Sequence, residues 1–330
     1  MRKFVVTLMA SLLSCSAAFA FFPEATDSSL EIGVGYRQDK LSWKTSNEFD
    51  SYGDSYDDVP LRLSSHLKWK NLRIWQIQAS GKYVTCDNLY LRASGDYGWI
   101  THGKNTDSDF VSFNQDYGYS DSESLEFSHS HSKARGHVYD AKIAVGYQFQ
   151  LCDNSFSVAP LVGYSWHGQH IHDRNLHQGY DYDYDSYTSG RNHSKYHTRW
   201  NGPFVGFDFD YRFGCCCEWD IFGGYEFHWA QYHAKGDWNL RADLFDGFRH
   251  RAKNAYGHVL DIGVKWDFCE CWTLSVKGEF QWWWAHRGHD RAKIFEASFG
   301  QAETDCFLTI PLRDIKWESA AVSLNLGMVF

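Results

Sequence analysis

The chain has 330 residues, with 41 acidic side chains against 32 basic ones and a formal net charge of −9 at pH 7. This balance argues against a nucleic-acid partner, because phosphate neutralisation needs a surplus of basic side chains. Aromatic residues make up 18% of the chain, yet its mean hydropathy is −0.50. Beyond the N-terminus there is no run of about 18 apolar residues, so membrane-spanning helices are excluded.

The N-terminus has the features of an export signal. Two basic residues precede the apolar run 4–13, and the tripeptide Ala-Phe-Ala at 18–20 has the small-x-small form that signal peptidase accepts. We therefore expect residues 1–20 to be a signal peptide and residues 21–330 to form one exported domain. A lipoprotein signal ending at Cys15 is a weaker alternative, because the preceding residues fit that motif poorly.

Apolar and polar residues then alternate with the two-residue period of a β-strand. At the C-terminus Leu324, Leu326 and Met328 share one face with the final Phe330, and Asn325 lies on the other. A terminal aromatic residue on such a strand is typical of bacterial outer-membrane barrels. The same alternation recurs in segments 30–36, 143–149, 158–166, 205–213, 221–229, 260–266 and 274–284.

The faces opposite these apolar ones carry charge, which fits either a soluble sandwich or a membrane barrel whose charged face lines the lumen. Aromatic residues at strand ends favour the barrel, since amphipathic rings occupy the membrane boundary. The residues expected at this boundary are Trp229, Trp238, Trp266, Trp272, Trp282, Trp283 and Trp284.

Connection lengths also favour the barrel, because transmembrane barrels join short periplasmic turns with long outer loops. Short reversals are predicted near residues 85–88, 152–155, 214–218 and 269–271. Long polar connections are predicted at 48–58, 102–134, 172–199, 239–253 and 288–310. The fold class is therefore all-β: an antiparallel transmembrane β-barrel of about ten strands in a bacterial outer membrane, with both termini periplasmic.

A ten-stranded lumen is narrow, and its charges are expected to pair and mostly fill it. The expected lumen residues are Asp208, Asp210, Arg212, Glu226, His228, Asp261, Lys265, Lys277 and Glu279. A hairpin hidden in the 102–134 or 288–310 connection would widen the barrel, which keeps a porin as an alternative.

Cysteines concentrate in the short turns and therefore face one compartment. They are Cys86, Cys152, Cys215, Cys216, Cys217, Cys269 and Cys271, while Cys306 stands apart. Turns spaced around a barrel rim lie too far apart for disulfides within the chain, so intermolecular cross-links to other envelope proteins are predicted. A zinc site is less favoured, because the usual Cys-x-x-Cys spacing is missing.

Two stretches resemble the omptin proteases. The segment 61–109, with Leu67-Lys68-Trp69-Lys70 and Gly98-Trp99-Ile100-Thr101-His102-Gly103, is similar to the omptin region between the second strand and the second outer loop. Pro203-Phe204-Val205-Gly206 and the following Tyr211-Arg212-Phe213 resemble the middle of that family. The resemblance implies an outer-membrane barrel of ten strands.

Omptin chemistry, as the resemblance implies it, places an Asp-x-Asp pair opposite an Asp/His couple across an extracellular cleft, with water as the nucleophile. The pair falls on Asp107 and Asp109, and the carboxylate of the couple on Asp237. Asn239 stands where the family has His. An amide does not accept a proton near neutral pH, so the general base is missing. His233 lies nearby, but its position along the strand does not give the geometry of the family's His.

The cysteine-containing turns and dense aromatic residues also resemble outer-membrane proteins of chlamydia-related bacteria, in which disulfides are thought to support the envelope. The 172–199 connection is rich in His, Tyr and Asp and suits contact with an extracellular or host protein better than a metal site. We therefore predict an outer-membrane barrel with a structural or surface-binding role and a degenerate protease site. We expect outer-membrane lipid to surround the barrel, and no cofactor is predicted. An omptin-type endopeptidase and a porin remain alternatives.

Overall fold

The computed structural model describes residues 28–49, 61–113, 124–152, 155–181, 193–214, 219–239, 247–269, 271–295 and 305–330. The predicted signal peptide and Cys215, Cys216 and Cys217 lie outside these ranges. The described residues contain no helix with the length and apolar character needed to cross a membrane.

Eleven β-segments account for nearly all of the described chain. They are β1 (Ser29–Phe49), β2 (Leu61–Val84), β3 (Leu89–Phe113), β4 (Leu125–Tyr147), β5 (Phe149–Leu151), β6 (Phe156–Asp181), β7 (Lys195–Phe213), β8 (Trp219–Asp237), β9 (Phe248–Cys269), β10 (Trp272–Phe295) and β11 (Asp305–Val329).

The antiparallel sheet closes into a ring. β1 pairs with β2 on one side and with β11 on the other, and β4 pairs with β6 to complete the circle. The short β5 follows β4 after the single residue Gln148 and pairs with the same neighbour, β6. β4 and β5 are thus two parts of one strand, and the predicted ten-stranded antiparallel barrel is confirmed.

Apolar side chains cover the outside of the barrel. Val34, Ile262 and Leu324 are 57%, 52% and 49% exposed, values that suit a face against acyl chains rather than a packed core. Aromatic rings border this band at both ends. The lower girdle contains Trp219, Trp266, Trp272 and Phe330, and the upper girdle contains Trp75, Trp99, Trp166, Trp229 and Trp282.

We define the membrane-spanning part of each strand as the part between these girdles. The strand ends beyond the upper girdle form an extracellular extension of the barrel. The extension comprises residues 39–49, 61–73, 101–113, 125–136, 168–181, 195–200, 231–237, 248–255, 286–295 and 305–316.

The extension corrects the predicted long connections, much of which is strand. β3 continues to Phe113 and β4 begins at Leu125, so most of the 102–134 connection is paired sheet. The 172–199, 239–253 and 288–310 connections are shortened in the same way by β6 and β7, by β9, and by β10 and β11. Beyond the membrane the outer face meets water, so the apolar alternation that marks a spanning strand is absent there.

Two predicted boundary residues face inward instead. Trp283 is 1% exposed, whereas its neighbour Trp282 is 45% exposed, because successive strand residues point to opposite faces. Trp238 packs against the buried Phe248 in the interior. The girdle assignments of Trp229, Trp266, Trp272 and Trp282 are confirmed by their exposure.

Gly136 provides a test of ring closure at the β4–β6 seam. Its φ is +142°, and a Cβ there would overlap the carbonyl oxygen of His170 on β6. We expect Gly136→Ala to destabilise the barrel by roughly 1–3 kcal/mol or more. The measurement is the fraction of protein that keeps the compact, heat-modifiable form on electrophoresis across a urea series. Gly81→Ala is the matched control, because its Cβ would meet no atom closer than 3.8 Å. Equal urea midpoints for the two variants would contradict the assigned backbone strain.

Candidate functional site

A layer of aromatic side chains crosses the interior in the extracellular half of the barrel. Trp283 stacks on Trp317 with ring centroids 5.6 Å apart, and Trp69 stacks on Tyr196 at 4.8 Å. We call this the aromatic layer; its members are Trp69, Tyr196, Trp200, Tyr232, Trp283 and Trp317, each at most 1% exposed. The rings come from β2, β7, β8, β10 and β11 and contact one another across the interior.

Small residues on the facing strands make room for these rings. Ala230, Ala234 and Ala255 are inward and buried, and Gly257 lies so close to Trp283 that a Cβ would overlap its indole. This alternation of small and large inward residues lets ten strands hold several tryptophans at one level.

Below the aromatic layer, the buried guanidinium of Arg37 is surrounded by carboxylates. Its Nε lies 2.7 Å from Asp39, and its Nη1 lies 2.6 Å from Asp140 and 3.5 Å from Asp96. The indole of Trp317 also donates to Asp39 over 3.1 Å, which ties this charge cluster to the aromatic layer. A buried arginine is tolerated only when its charge and donors are matched in this way.

A second ionic network occupies the membrane-spanning part of the lumen. Arg92 pairs with Asp208 at 2.6 Å and with Glu226, which also accepts from Lys142 at 3.3 Å. On the neighbouring wall Lys265 lies 2.8 Å from the buried Asp220. The predicted paired-charge lumen is therefore present. A cavity of about 150 Å³ adjoins this network at the periplasmic end of the barrel, and both acidic and basic side chains line it.

Three inward histidines contact carboxylates. His167 Nδ1 lies 2.9 Å from Asp140, and His228 Nε2 lies 2.9 Å from Glu226, which agrees with the lumenal orientation predicted for His228. The third, His250, has its Nε2 3.5 Å from Asp290. Each couple is a potential proton-transfer pair, but all three imidazoles are fully buried.

His250 and Asp290 were not identified from the sequence. His250 Nδ1 lies 2.7 Å from the hydroxyl of Tyr196, and its ring centroid is 4.7 Å from that of Trp43. Both residues fall in segments predicted as connections. The sequence feature that could have placed His250 on a strand is the alternation of Phe248, His250 and Ala252, which the structure buries on one face of β9.

The candidate pair Asp107 and Asp109 lies on β3, above the aromatic layer. In the paired register Asp107 is opposite Leu67, whose buried side chain marks the inward face, and its Oδ1 accepts from the Ser65 hydroxyl over 3.4 Å. Asp109 is two residues further along and shares this face. The structure thus places the two carboxylates together on the inward face of β3, in the extracellular extension of the barrel.

The other half of the candidate site lies elsewhere. Asp237 is exposed and follows the buried, inward Gly236, so its side chain is on the outer face, opposite Lys195 in register. Asn239 Oδ1 accepts from the backbone N–H of His193 over 2.7 Å and from the Ser194 hydroxyl over 3.3 Å. His233 shares the outer face with Asp237. The structure does not bring Asp237 or His233 to the face that carries Asp107 and Asp109.

Asp173 is a buried carboxylate one level beneath this pair. It accepts from the indole of Trp69 over 3.1 Å and from the amide of Asn105 over 2.7 Å. It lies in the extension of β6, outside the membrane-spanning part. Burial away from water raises the pKa of Asp173 from 3.8 to about 7, although the hydrogen bonds from these neutral donors act in the opposite direction.

No three His, Cys, Asp or Glu side chains within the described ranges are arranged to hold a metal ion.

Asp173 gives a pH-dependence test. Its pKa is raised on folding, so its contribution to the free energy of unfolding is complete below about pH 4 and is lost as the pH rises through about 7. We expect Asp173→Asn, which stays neutral, to be more stable than the unmutated protein at pH 8, by at most about 4 kcal/mol. The advantage should shrink as the pH falls to 4. Urea unfolding followed by tryptophan fluorescence measures this, with Asp87→Asn at an exposed turn as the control. A pH-independent difference would contradict the assignment.

The comparisons with known proteins agree with this architecture. The crystal structure of the outer membrane protease OmpT from Escherichia coli superposes with a TM-score of 0.69 at 13% identity, covering 94% of this chain and 99% of that one. This likeness shows a shared fold alone. The outer membrane protein OprG from Pseudomonas aeruginosa covers 93% of this chain and 97% of its own, at 11% identity and a TM-score of 0.31. A TM-score this low does not indicate a shared architecture.

No curated protein matches the sequence. The family model described as Protochlamydia outer membrane protein, or Pom, matches residues 31–330, which is nearly the whole described barrel. The chain is therefore a bacterial outer-membrane β-barrel that belongs to the Protochlamydia outer membrane protein family.

Proposed function

We propose that this protein is a closed, non-conducting outer-membrane barrel with a structural or surface-binding role and a degenerate protease site. The observation that carries the proposal is the aromatic layer, whose six rings are at most 1% exposed. A conducting pore needs a continuous path of water, and a packed apolar constriction removes it.

The contacts around the layer support a static closure. Trp69, Trp283 and Trp317 donate their indole N–H groups to Asp173, Gln281 and Asp39, at 3.0–3.1 Å. These bonds fix the planes of the rings from three different walls of the barrel. Opening the lumen would break them and would leave buried polar groups without partners.

The degenerate protease site is supported by the outer-face position of Asp237 and His233, which keeps this couple away from the face that carries Asp107 and Asp109. Hydrolysis by an activated water needs a group within hydrogen-bond reach that accepts a proton near neutral pH. The amide oxygen of Asn239 already accepts from His193 and Ser194. His250, an inward histidine that contacts Tyr196 of the aromatic layer, is 0% exposed, so bulk water does not reach it.

We extend the proposal to partners on both sides of the membrane. Cys86, Cys152, Cys269 and Cys271 are exposed free thiols at the turn-bearing rim, where they are available for disulfides with periplasmic or neighbouring envelope proteins. Cys215, Cys216 and Cys217 are expected to join them. On the opposite side, the loops between the extension strands are proposed to contact extracellular or host protein.

Conductance in a planar bilayer tests the closed lumen. The refolded, unmutated protein is expected to give no steady single-channel steps. The double variant Trp200→Ala/Trp283→Ala removes two rings whose centroids lie 5.9 Å apart, so it should open a water path and conduct. The control Trp229→Ala/Trp282→Ala removes two rings from the lipid face and should stay silent. Steady steps from the unmutated protein would favour the porin alternative.

An omptin-type endopeptidase stays the enzyme alternative, because Asp107 and Asp109 share the inward face of β3. Incubation of the refolded protein with a peptide that contains Lys and Arg residues tests it, with mass spectrometry of the products as the readout. We expect no cleavage. Cleavage that is lost in Asp107→Ala and kept in Asp237→Ala would establish a protease site built without Asp237.

A further inference from the structure

Four histidines lie close together on the outer face of β4, β6 and β7. In the paired register His137 of β4 is opposite His170 of β6, and His170 is opposite His197 of β7. The ring centroids of these two pairs are 4.5 and 4.3 Å apart. The ring of His172 lies 6.0 Å from that of His197. We call these four residues the histidine cluster.

Three members of the cluster start from neighbouring positions on one face of two paired strands. His170 and His172 are two residues apart on β6, and Ile171 between them is 0% exposed in the interior, so both histidines project outward. His197 joins them from β7, because the Cβ atoms of direct cross-strand partners lie within about 5.5 Å of each other. Three imidazoles so placed are a ligand set that can hold a zinc ion and leave a fourth position for water.

The ring nitrogens of these three histidines are unused by the rest of the protein. Within the described ranges none of the three side chains forms a hydrogen bond or an ion pair. The Nε2 atom of His197 is also buried. A buried polar atom without a partner is uncommon in native proteins and calls for an explanation such as a bound ion or water.

The surroundings favour an ion that prefers nitrogen to oxygen ligands. The direct cross-strand neighbours of His172 are Arg135 and Lys195, and the neighbour of His197 on β8 is Lys235. Within the described pairing, no carboxylate is a direct cross-strand neighbour of any of the three histidines. Mg²⁺ and Ca²⁺ take oxygen ligands, whereas imidazole suits Zn²⁺, Cu²⁺ and Ni²⁺.

The imidazole rings stack on one another in this structure instead of converging. The ring planes of His172 and His197 differ by 12°, and those of His170 and His197 differ by 31°. This stacking agrees with the finding that no three described side chains are already arranged around a metal position. All three histidines are half-buried on a face that meets water, so their rings can turn about the side-chain torsions when an ion arrives.

We propose that His170, His172 and His197 form a binding site for a divalent transition-metal ion of the zinc type. Each histidine supplies one ring nitrogen, and a water molecule completes a tetrahedral set. His137 packs against His170 and limits the freedom of its ring. The ion links β6 to β7 on the water side of the girdle residue Trp166. The site does not depend on whether the lumen is closed or whether the barrel cleaves peptides.

Isothermal titration calorimetry of the full mature chain, refolded in a zwitterionic detergent without an affinity tag, tests this site. Zn²⁺ is the probe, and Mg²⁺ is the comparison ion. The site variant is His170→Gln/His197→Gln. The control is His131→Gln/His177→Gln, which removes another stacked pair from β4 and β6, with ring centroids 5.3 Å apart. We expect one Zn²⁺ to bind the unmutated protein and the control alike, and to bind the site variant at least about tenfold more weakly. Mg²⁺ should bind none of them.

Co²⁺ gives a second readout, which distinguishes a three-imidazole site from single histidines. A tetrahedral Co²⁺ site absorbs visible light much more strongly than the hydrated, octahedral ion, so the spectrum reports the geometry. We expect this absorption in the unmutated protein and in the control, and its loss in His172→Gln, which removes one ligand and leaves the cross-strand pair in place. Equal Zn²⁺ affinity in the site variant and the control would overturn the proposal. An unchanged tetrahedral Co²⁺ spectrum in His172→Gln would overturn it as well.

Discussion

Closure of the sheet between β1 and β11 is the constraint on which the rest of this structure depends. Within a bilayer each backbone N–H and C=O must find a partner in the protein, so strands can cross only as a ring without edges. Once ten strands form that ring, every second side chain points into a narrow interior. The acyl chains solvate the outer face, whereas each inward side chain must find its partner inside the barrel.

The interior meets this demand in two ways. In the membrane-spanning part and just above it, charges of both signs are interleaved, as around Arg37 and Arg92, so that few carboxylates are left without a donor. Further out, the aromatic layer replaces charge by packed rings whose indole N–H groups bond to the polar groups beneath them. The two regions share Asp39, which accepts from both Arg37 and Trp317, and this continuity supports the proposal of a closed lumen.

Charge is distributed unevenly across the wall. Inward positions hold most of the acidic residues discussed here, paired with buried bases, while the outer face beyond the girdle collects basic ones. Asp107 and Asp109 lie on the inward face of β3, whereas Asp237 lies on the outward face of β8, so the three carboxylates do not share a face of the barrel.

The sequence by itself determined the barrel, its strand number, the short turns, the lipid face and the ionic lumen, because a membrane imposes a two-residue alternation that can be read directly from residues such as Leu324 and Leu326. The sequence also placed His228 in the lumen, from its position in the two-residue alternation alone. Beyond the girdle both faces are partly polar, so the alternation fades, and the strand ends that carry His250 and Asp290 were predicted as loops. Only the tertiary structure decided which inward rings meet across the lumen, that Trp283 belongs to the interior and that Asp237 faces away from Asp107. These facts depend on the register of strands distant in sequence, and a one-residue step in that register turns a side chain from the cleft to the outer surface.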